Sequence, residues 1–272
     1  MNTVTEISDT ASPAEFRLRK YYADCVSEAG DVLIAYYGYA MWNGLTLHYS
    51  SLLTRVGNEA SHAQHSIRKS EEPSSAGSGV HWRSRNLTFE GTWDAIDPAY
   101  SEVLFFSPEG TVEWQCLQPR AKAEIRWGHQ QLLHGLGYVE RLDMTIAPWK
   151  LPIEQLFWGR FLSDSDSLVW IDWRGPHHRR VLLHNGRRIA NGKITDHEIS
   201  VGSAAKLTFR DRAVLREGTL GTVALAALSA FKQSLPGRLL NVEERKWRSR
   251  AHWNECERSD GWAIHEVVKW PP

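Results

Sequence analysis

Residues Gly135 to Gly175 read GLGYVERLDMTIAPWKLPIEQLFWGRFLSDSDSLVWIDWRG. Three short segments in this run have the aromatic and β-branched content of strands. Pro148, Pro152 and the stretch Ser163–Ser167 supply the bends between them. Each segment carries an aromatic two residues before a charge: Tyr138 and Glu140, Trp158 and Arg160, Trp170 and Asp172. Side chains at i and i+2 of a strand share a face, so each pair presents a ring beside a charge. With the three strands as neighbours, the rings form one layer and the charges another. Such a surface is either the wall of an enclosed small-molecule pocket or a packed wall in which Arg160 bridges Glu140 or Asp172 structurally.

Outward from this stretch the chain keeps the same character. Short β-like runs recur at Val80–Trp82, Asn86–Trp93, Val103–Phe106, Val112–Cys116 and Ala121–Trp127, with turn residues such as Ser107-Pro108-Glu109-Gly110 between them. Upstream, Glu28-Ala29-Gly30-Asp31 separates two aromatic-rich runs as a hairpin turn would, and Leu45, Leu47 and Tyr49 alternate with polar residues. Downstream, Asn185-Gly186 is a strong hairpin signal between short strands. Further β runs fall at Ile199–Val201, Lys206–Arg210 and Val214–Arg216, and two strands flank Ser259-Asp260-Gly261 near the end. The expected class is all-β, a sandwich or barrel. The polar run Ser61–Gly79 reads as an exposed loop, and the glycines of His134-Gly135-Leu136-Gly137 read as backbone turns.

The 272 residues are 42% hydrophobic, enough to bury a sizeable core as one large or two modest domains. Basic and acidic residues balance at 32 each, so no net field draws the chain to nucleic acid, and a membrane is at most a peripheral partner. Cys25, Cys116 and Cys256 are odd in number and far apart, which argues against a disulfide framework or a thiolate zinc site and fits a reducing, cytoplasmic setting. The polar opening MNTVTEISDTASPAEF reads as a flexible leader without a signal-peptide pattern. The longest apolar run, Leu220–Phe231, is too short to span a bilayer and reads as a buried helix or strand. His62 and His65 have HxxH spacing but no carboxylate or Cys nearby, and His177 and His178 sit among arginines as a solvated basic patch; neither pair reads as a metal site. Phosphate-loop, zincin and GxSxG motifs do not occur. Thirteen Trp stand out; a Trp-rich pocket suits a bulky apolar or polyene ligand, although core packing accounts for many such rings.

Six blocks carry a family resemblance: YYADCVSEAGDVLIAYYGY (Tyr21–Tyr39), VEWQCLQPRAKAEIRW (Val112–Trp127), GLGYVERL (Gly135–Leu142), FWGRF (Phe157–Phe161), LVWIDW (Leu168–Trp173) and GWAIHEVVKW (Gly261–Trp270). In order and spacing across nearly the whole chain they resemble the carotenoid 1,2-hydratase (hydroxyneurosporene synthase) family and its AttH-like and fungal Diels-Alderase relatives. The resemblance implies two lipocalin-like (calycin) β-barrel halves packed together with few short helices: a leader at 1–12, an N-terminal half at 13–128 and a C-terminal half at 129–272 carrying the site. It also implies a ligand cavity at or between the halves and chemistry without cofactor or metal on an apolar terpenoid or polyene: hydration, cyclisation or isomerisation. Gly135, Gly137, Tyr138 and Glu140 match the family's GxGYxDHNxG-like motif with Glu for Asp, and Trp158-Gly159-Arg160 matches its W-[SG]-R. Trp170 and Asp172 match the aromatic and aspartate of the next strand. The family's acidic-His-Asn sequence is Glu140-Arg141-Leu142 here, so its histidine is absent and a related reaction is implied rather than carotenoid hydration itself.

The expected catalytic set is therefore Asp172, Glu140 and Arg160, with Tyr138, Trp158, Trp170, Trp114 and Tyr37 binding substrate. Protonating an alkene needs a carboxyl kept neutral by burial. Asp172, between Trp170 and Trp173, is the first choice of acid and Glu140 the second, with Glu140 and Arg160 expected as a structural ion pair and Asp172 left freer. Alternatively Tyr138, a Trp N–H or Arg160 polarises a substrate carbonyl. Two non-catalytic alternatives use the same residues: a lipocalin-like carrier for an apolar ligand, and an interaction module whose cavity its own side chains fill.

Overall fold

The computed structural model describes residues 16–271 except 130, 191, 203–204, 224–234 and 255–258. The expected leader, Cys256 and residues 224–231 of the apolar run lie outside them; Leu220–Val223 form a short helix, α1, and Gly237–Leu240 a second, α2. Among the described residues everything else of regular structure is strand, apart from two 3-10 turns.

The first sheet contains β1 (Phe16–Val26), β2 (Val32–Trp42), β3 (Leu45–Arg55), β4 (His62–Ser66), β5 (Ser74–Ala76), β6 (Gly79–Ser84), β7 (Phe89–Ala95), β8 (Tyr100–Ser107), β9 (Gly110–Trp127) and β10 (Gln131–Met144). Its order is β4-β3-β2-β1-β10-β9-β7-β6-β5, with β8 also on β9. The second contains β11 (Gln155–Leu162), β12 (Ser167–Arg174), β13 (Arg179–His184), β14 (Arg187–Arg188), β15 (Gly192–Ile194), β16 (Glu198–Val201), β17 (Ala205–Thr219), β18 (Glu243–Trp253) and β19 (Asp260–Lys269), in the order β14-β13-β12-β11-β19-β18-β17-β16-β15. Both sheets are antiparallel and curl into half-barrels, the all-β pair expected. The chain changes sheet between Met144 and Gln155, not at 128/129, so the strand bearing Tyr138 and Glu140 belongs to the first half. Among the described residues no helix is long and apolar enough to cross a membrane.

Alternation along each strand separates three cores. Tyr21, Ala23 and Cys25 of β1 face the interior of the first half-barrel with Leu33, Trp82, Phe89 and Trp93. Phe161, Leu168, Trp170, Leu207 and Trp253 fill the second. The other faces of both sheets, including Tyr22, Ile34, Trp114 and Tyr138 from the first and Trp158, Val169, Ile171 and Ile264 from the second, meet in a layer between them.

Three local readings change. Ser61–Gly79 is not one loop: His62–Ser66 pairs with β3 as an edge strand, whose polar sequence suits an exposed edge, and His65 Nδ1 lies 2.9 Å from Tyr49 Oη. Val112–Cys116 and Ala121–Trp127 are one strand, β9, which pairs first with β8 and then with β7. Pro119, lacking an N–H, sits where the β9–β10 register shifts, so the strand bends there without ending. Gly135 and Gly137 lie inside β10 rather than in turns. A Cβ on Gly135 would stand 2.0 Å from the Val26 carbonyl oxygen, and one on Gly137 would meet both the Asp24 carbonyl oxygen and the Trp93 indole, which donates to that oxygen at 2.7 Å. These glycines allow close approach of backbone and ring.

The second half-barrel holds His265 stacked between Phe209 (4.4 Å) and Trp247 (5.2 Å), with Nε2 2.8 Å from Ser249 Oγ. Burial, with the fields of Arg212 and Lys246, lowers its pKa from 6.5 to about 3. In the unfolded chain the same imidazole takes up a proton near its ordinary value, so the unfolded state binds more protons at mildly acid pH and stability falls as pH drops from about 6.5 toward 3. His265→Phe, which keeps the stack, is expected to remove that share of the slope. Urea midpoints of both proteins between pH 7 and 5 measure it; equal slopes would contradict the buried neutral imidazole.

Candidate functional site

The site is built on β1, β9, β10 and β11. In the β1–β10 ladder Tyr22 lies opposite Glu140 and Asp24 opposite Tyr138, which puts all four on the face toward the second sheet. Trp114 of β9 joins them from the same face, and Trp158 and Arg160 of β11 arrive from the second sheet. Glu140 Oε2 accepts three hydrogen bonds, from Trp114 Nε1 (2.6 Å), Tyr138 Oη (2.7 Å) and Trp158 Nε1 (3.1 Å). Among the described residues none reaches Oε1, and no cation stands within ion-pair distance of either oxygen. Burial pushes the Tyr138 phenol well above its usual pKa, with Cys116 and Glu140 adding to the rise, so it remains a neutral donor.

Arg160 does not pair with Glu140, as the sequence suggested. Its Nη2 and Nε donate to Asp24 at 2.7 and 3.1 Å, and its Nη1 to the Trp262 carbonyl oxygen at 2.7 Å. Both partners are fully buried, and Tyr22 Oη adds a hydrogen bond to Asp24 at 2.7 Å. This bidentate pair ties β1 to β11 across the layer. Beside it, Lys246 pairs with Glu266 while its ammonium lies 4.9 to 5.9 Å from the rings of Trp158, Tyr22 and Tyr36. Burial lowers the Lys246 pKa, but the fields of Glu266, Tyr36 and Glu244 together outweigh it and raise it. Arg216 pairs with Glu244 at 2.6 Å and donates to Tyr36 Oη at 3.3 Å. The interlayer carboxylates Asp24, Glu244 and Glu266 thus each hold a cation, and Glu140 holds neutral donors only.

The third aromatic and charge pair faces elsewhere. Leu162 pairs with Ser167 and Trp158 with Ile171, so residues of opposite parity share a face on β11 and β12. Trp170 and Asp172 therefore point into the second half-barrel, away from Trp158 and Arg160. Nor is Asp172 free: Arg174 Nε at 2.8 Å, Arg180 Nε at 2.9 Å and His178 Nε2 at 3.1 Å surround it. Burial pushes its carboxyl up, but the hydrogen bonds from Arg180, Arg174 and His178 outweigh it and hold the pKa below the usual carboxylate value. A carboxylate so held has no proton to give near neutrality, which removes the basis for Asp172 as the acid. Tyr37 lies in the first half-barrel, ring to ring with Tyr21 at 6.0 Å, and does not join the layer. Sequence reasoning missed Asp24, Tyr22, Lys246 and Glu266. Tyr22 and Asp24 carry the same aromatic-to-charge spacing as the three pairs that drew attention. Among the described residues no group of three or more His, Cys, Asp or Glu side chains could hold a metal ion.

No family model matches the chain, and no curated protein matches it in sequence. Solved structures do match in three dimensions. CghA superposes with a TM-score of 0.57 at 10% identity, over 94% of this chain and 88% of its own, and CghA with Sch210972 gives 0.54 at 10% identity, over 94% and 89%. The chain shares this fold. Kievitone hydratase from Nectria haematococca matches over 93% of this chain and 88% of its own, with a TM-score of 0.51 at 13% identity. At these identities the likeness is one of fold.

Proposed function

We propose that the chain is a cofactor-free enzyme acting on an apolar small molecule in the layer between the half-barrels, by hydration, cyclisation or isomerisation, with Glu140 exchanging the proton. The observation that carries this is the hydrogen bonding of Glu140: three neutral donors from two sheets fix one oxygen, no cation neutralises the group, and Oε1 is left to act on a substrate. Trp114, Tyr138 and Trp158 position the carboxyl and line the reacting space with rings, which suits a terpenoid or polyene-like substrate. Arg160 with Asp24 holds the two sheets in register across that space. Support of a second kind comes from the shared fold, since its solved members include a hydratase and a protein crystallised with a small molecule.

The non-catalytic alternative is a carrier for the same apolar ligand. The interior of the first half-barrel is filled by its own rings, Trp82 and Trp93 among them, which weighs against a ligand held there in the lipocalin manner. Purification from a host making mixed terpenoids and polyenes, followed by solvent extraction and mass spectrometry beside Glu140→Gln, separates the readings. A compound enriched on both proteins but altered in mass or isomer form only by the wild type is the result expected of the enzyme. The same unaltered compound on both would favour the carrier, and nothing on either would leave the layer as core.

A further inference from the structure

A cavity of about 550 Å³ opens at the end of the second half-barrel where β18 begins and β19 ends, within the roughly 300–1,000 Å³ range of small-molecule sites. Trp247 and Val267 form its apolar wall, and Arg212, Arg245, Glu217 and Lys269 are among the charged groups around it. It shares none of the residues that surround Glu140.

Arg212 is brought to this cavity by a β-bulge. Arg210 lies opposite Arg250 and Ala213 opposite Arg248, so Asp211 and Arg212 together face one residue of β18, and Asp211 adopts the left-handed conformation (φ 48°). Bulges re-aim side chains, and this one sets the Arg212 guanidinium 5.6 Å from the Phe209 ring and 5.8 Å from the Trp247 ring. There it donates to the Asp196 carbonyl oxygen, but among the described residues no carboxylate lies within ion-pair distance of it. Burial lowers its pKa, the Asp196 charge acts the other way, and Arg245 adds to the lowering. The nearby acids are otherwise committed or in water: Glu217 pairs with Arg245 and Glu244 with Arg216, while Asp196 and Glu243 are exposed. Two guanidiniums therefore flank the rings, Arg245 at 5.2 Å from Trp247 but paired with Glu217, and Arg212 without a carboxylate partner among the described residues, so Arg212 is the one left for a planar carboxylate to complete.

We propose that this cavity binds a small aromatic carboxylate, its carboxyl group on Arg212 and its ring along Trp247 and Val267. The probes are benzoate, the neutral benzyl alcohol and the cationic benzylamine, titrated at millimolar concentration with ligand-observed saturation-transfer NMR against wild type and Arg212→Gln. Saturable benzoate binding is expected, weakened about tenfold or more by Arg212→Gln with an unchanged melting temperature, and partly restored in Arg212→Lys. Benzyl alcohol should bind wild type no better than benzoate binds the Gln variant. Benzoate binding that is indifferent to Arg212→Gln, tighter binding of benzylamine, or no saturable benzoate binding to the wild type would each overturn the assignment. The charge series on the wild type decides the matter even if the Gln variant does not fold.

Discussion

Replacement of Asp24 by alanine is expected to remove about 3–5 kcal/mol of folding stability, the cost of leaving a buried charge without its partner. Arg160 is fully buried, and two of its three hydrogen bonds end on Asp24. Its guanidinium cannot reach water without parting the sheets, and Tyr22 Oη loses its acceptor as well. Since whole domains are stable by only about 5–15 kcal/mol, one substitution should consume a large share. Urea unfolding measures it. Asp24→Leu combined with Arg160→Met should lie closer to the wild type than Asp24→Ala, because removing both charges leaves no orphan. A loss below about 1 kcal/mol in Asp24→Ala would mean that the pair does not hold the layer together.

Glu140→Gln is expected to lower turnover by about 10²–10⁴-fold, the usual contribution of a positioned proton-transfer group, with little loss of stability. The Gln carbonyl can accept from Trp114, Tyr138 and Trp158 as the carboxyl does, so the layer keeps its shape while the group can no longer exchange a proton. Asp172→Asn is the contrasting variant. It disturbs Arg174, Arg180 and His178 in the other half-barrel and should cost stability while sparing the rate per folded molecule. The opposite ranking of the two variants, measured as initial rates on the compound recovered by extraction, would return the acid role to Asp172.

Much of the architecture was legible in the residues. Turn chemistry at Glu28–Asp31, at Ser163–Ser167 and at Asn185-Gly186 gave hairpins that form, and the regular recurrence of short β-like runs between turns gave the all-β class. The division of the halves was not legible, because β10 has the same aromatic-to-charge spacing as β11 and nothing in its composition says that its backbone partners are β1 and β9. At the site, Tyr138, Glu140, Trp158 and Arg160 do converge. Trp170 and Asp172 failed for a reason the sequence contained: the connection at 163–166 sets Leu162 opposite Ser167, and that register reverses the parity of β12 relative to β11. The partner of Arg160 was harder, since Asp24 lies far away in the chain and only tertiary packing joins them. Nor could spacing show that arginines on β12 and β13 would surround Asp172, because cross-strand pairing brings Arg180 opposite it.

The most direct test is a crystal structure of the wild-type protein with the compound that co-purifies with it. The expected result is ligand density between β10 and β11, bordered by Trp114 and Trp158, with a polar or reacting atom within hydrogen-bond distance of Glu140 Oε1. Density confined to a half-barrel interior or to the cavity at Arg212, with the Glu140 layer closed and unchanged, would contradict it.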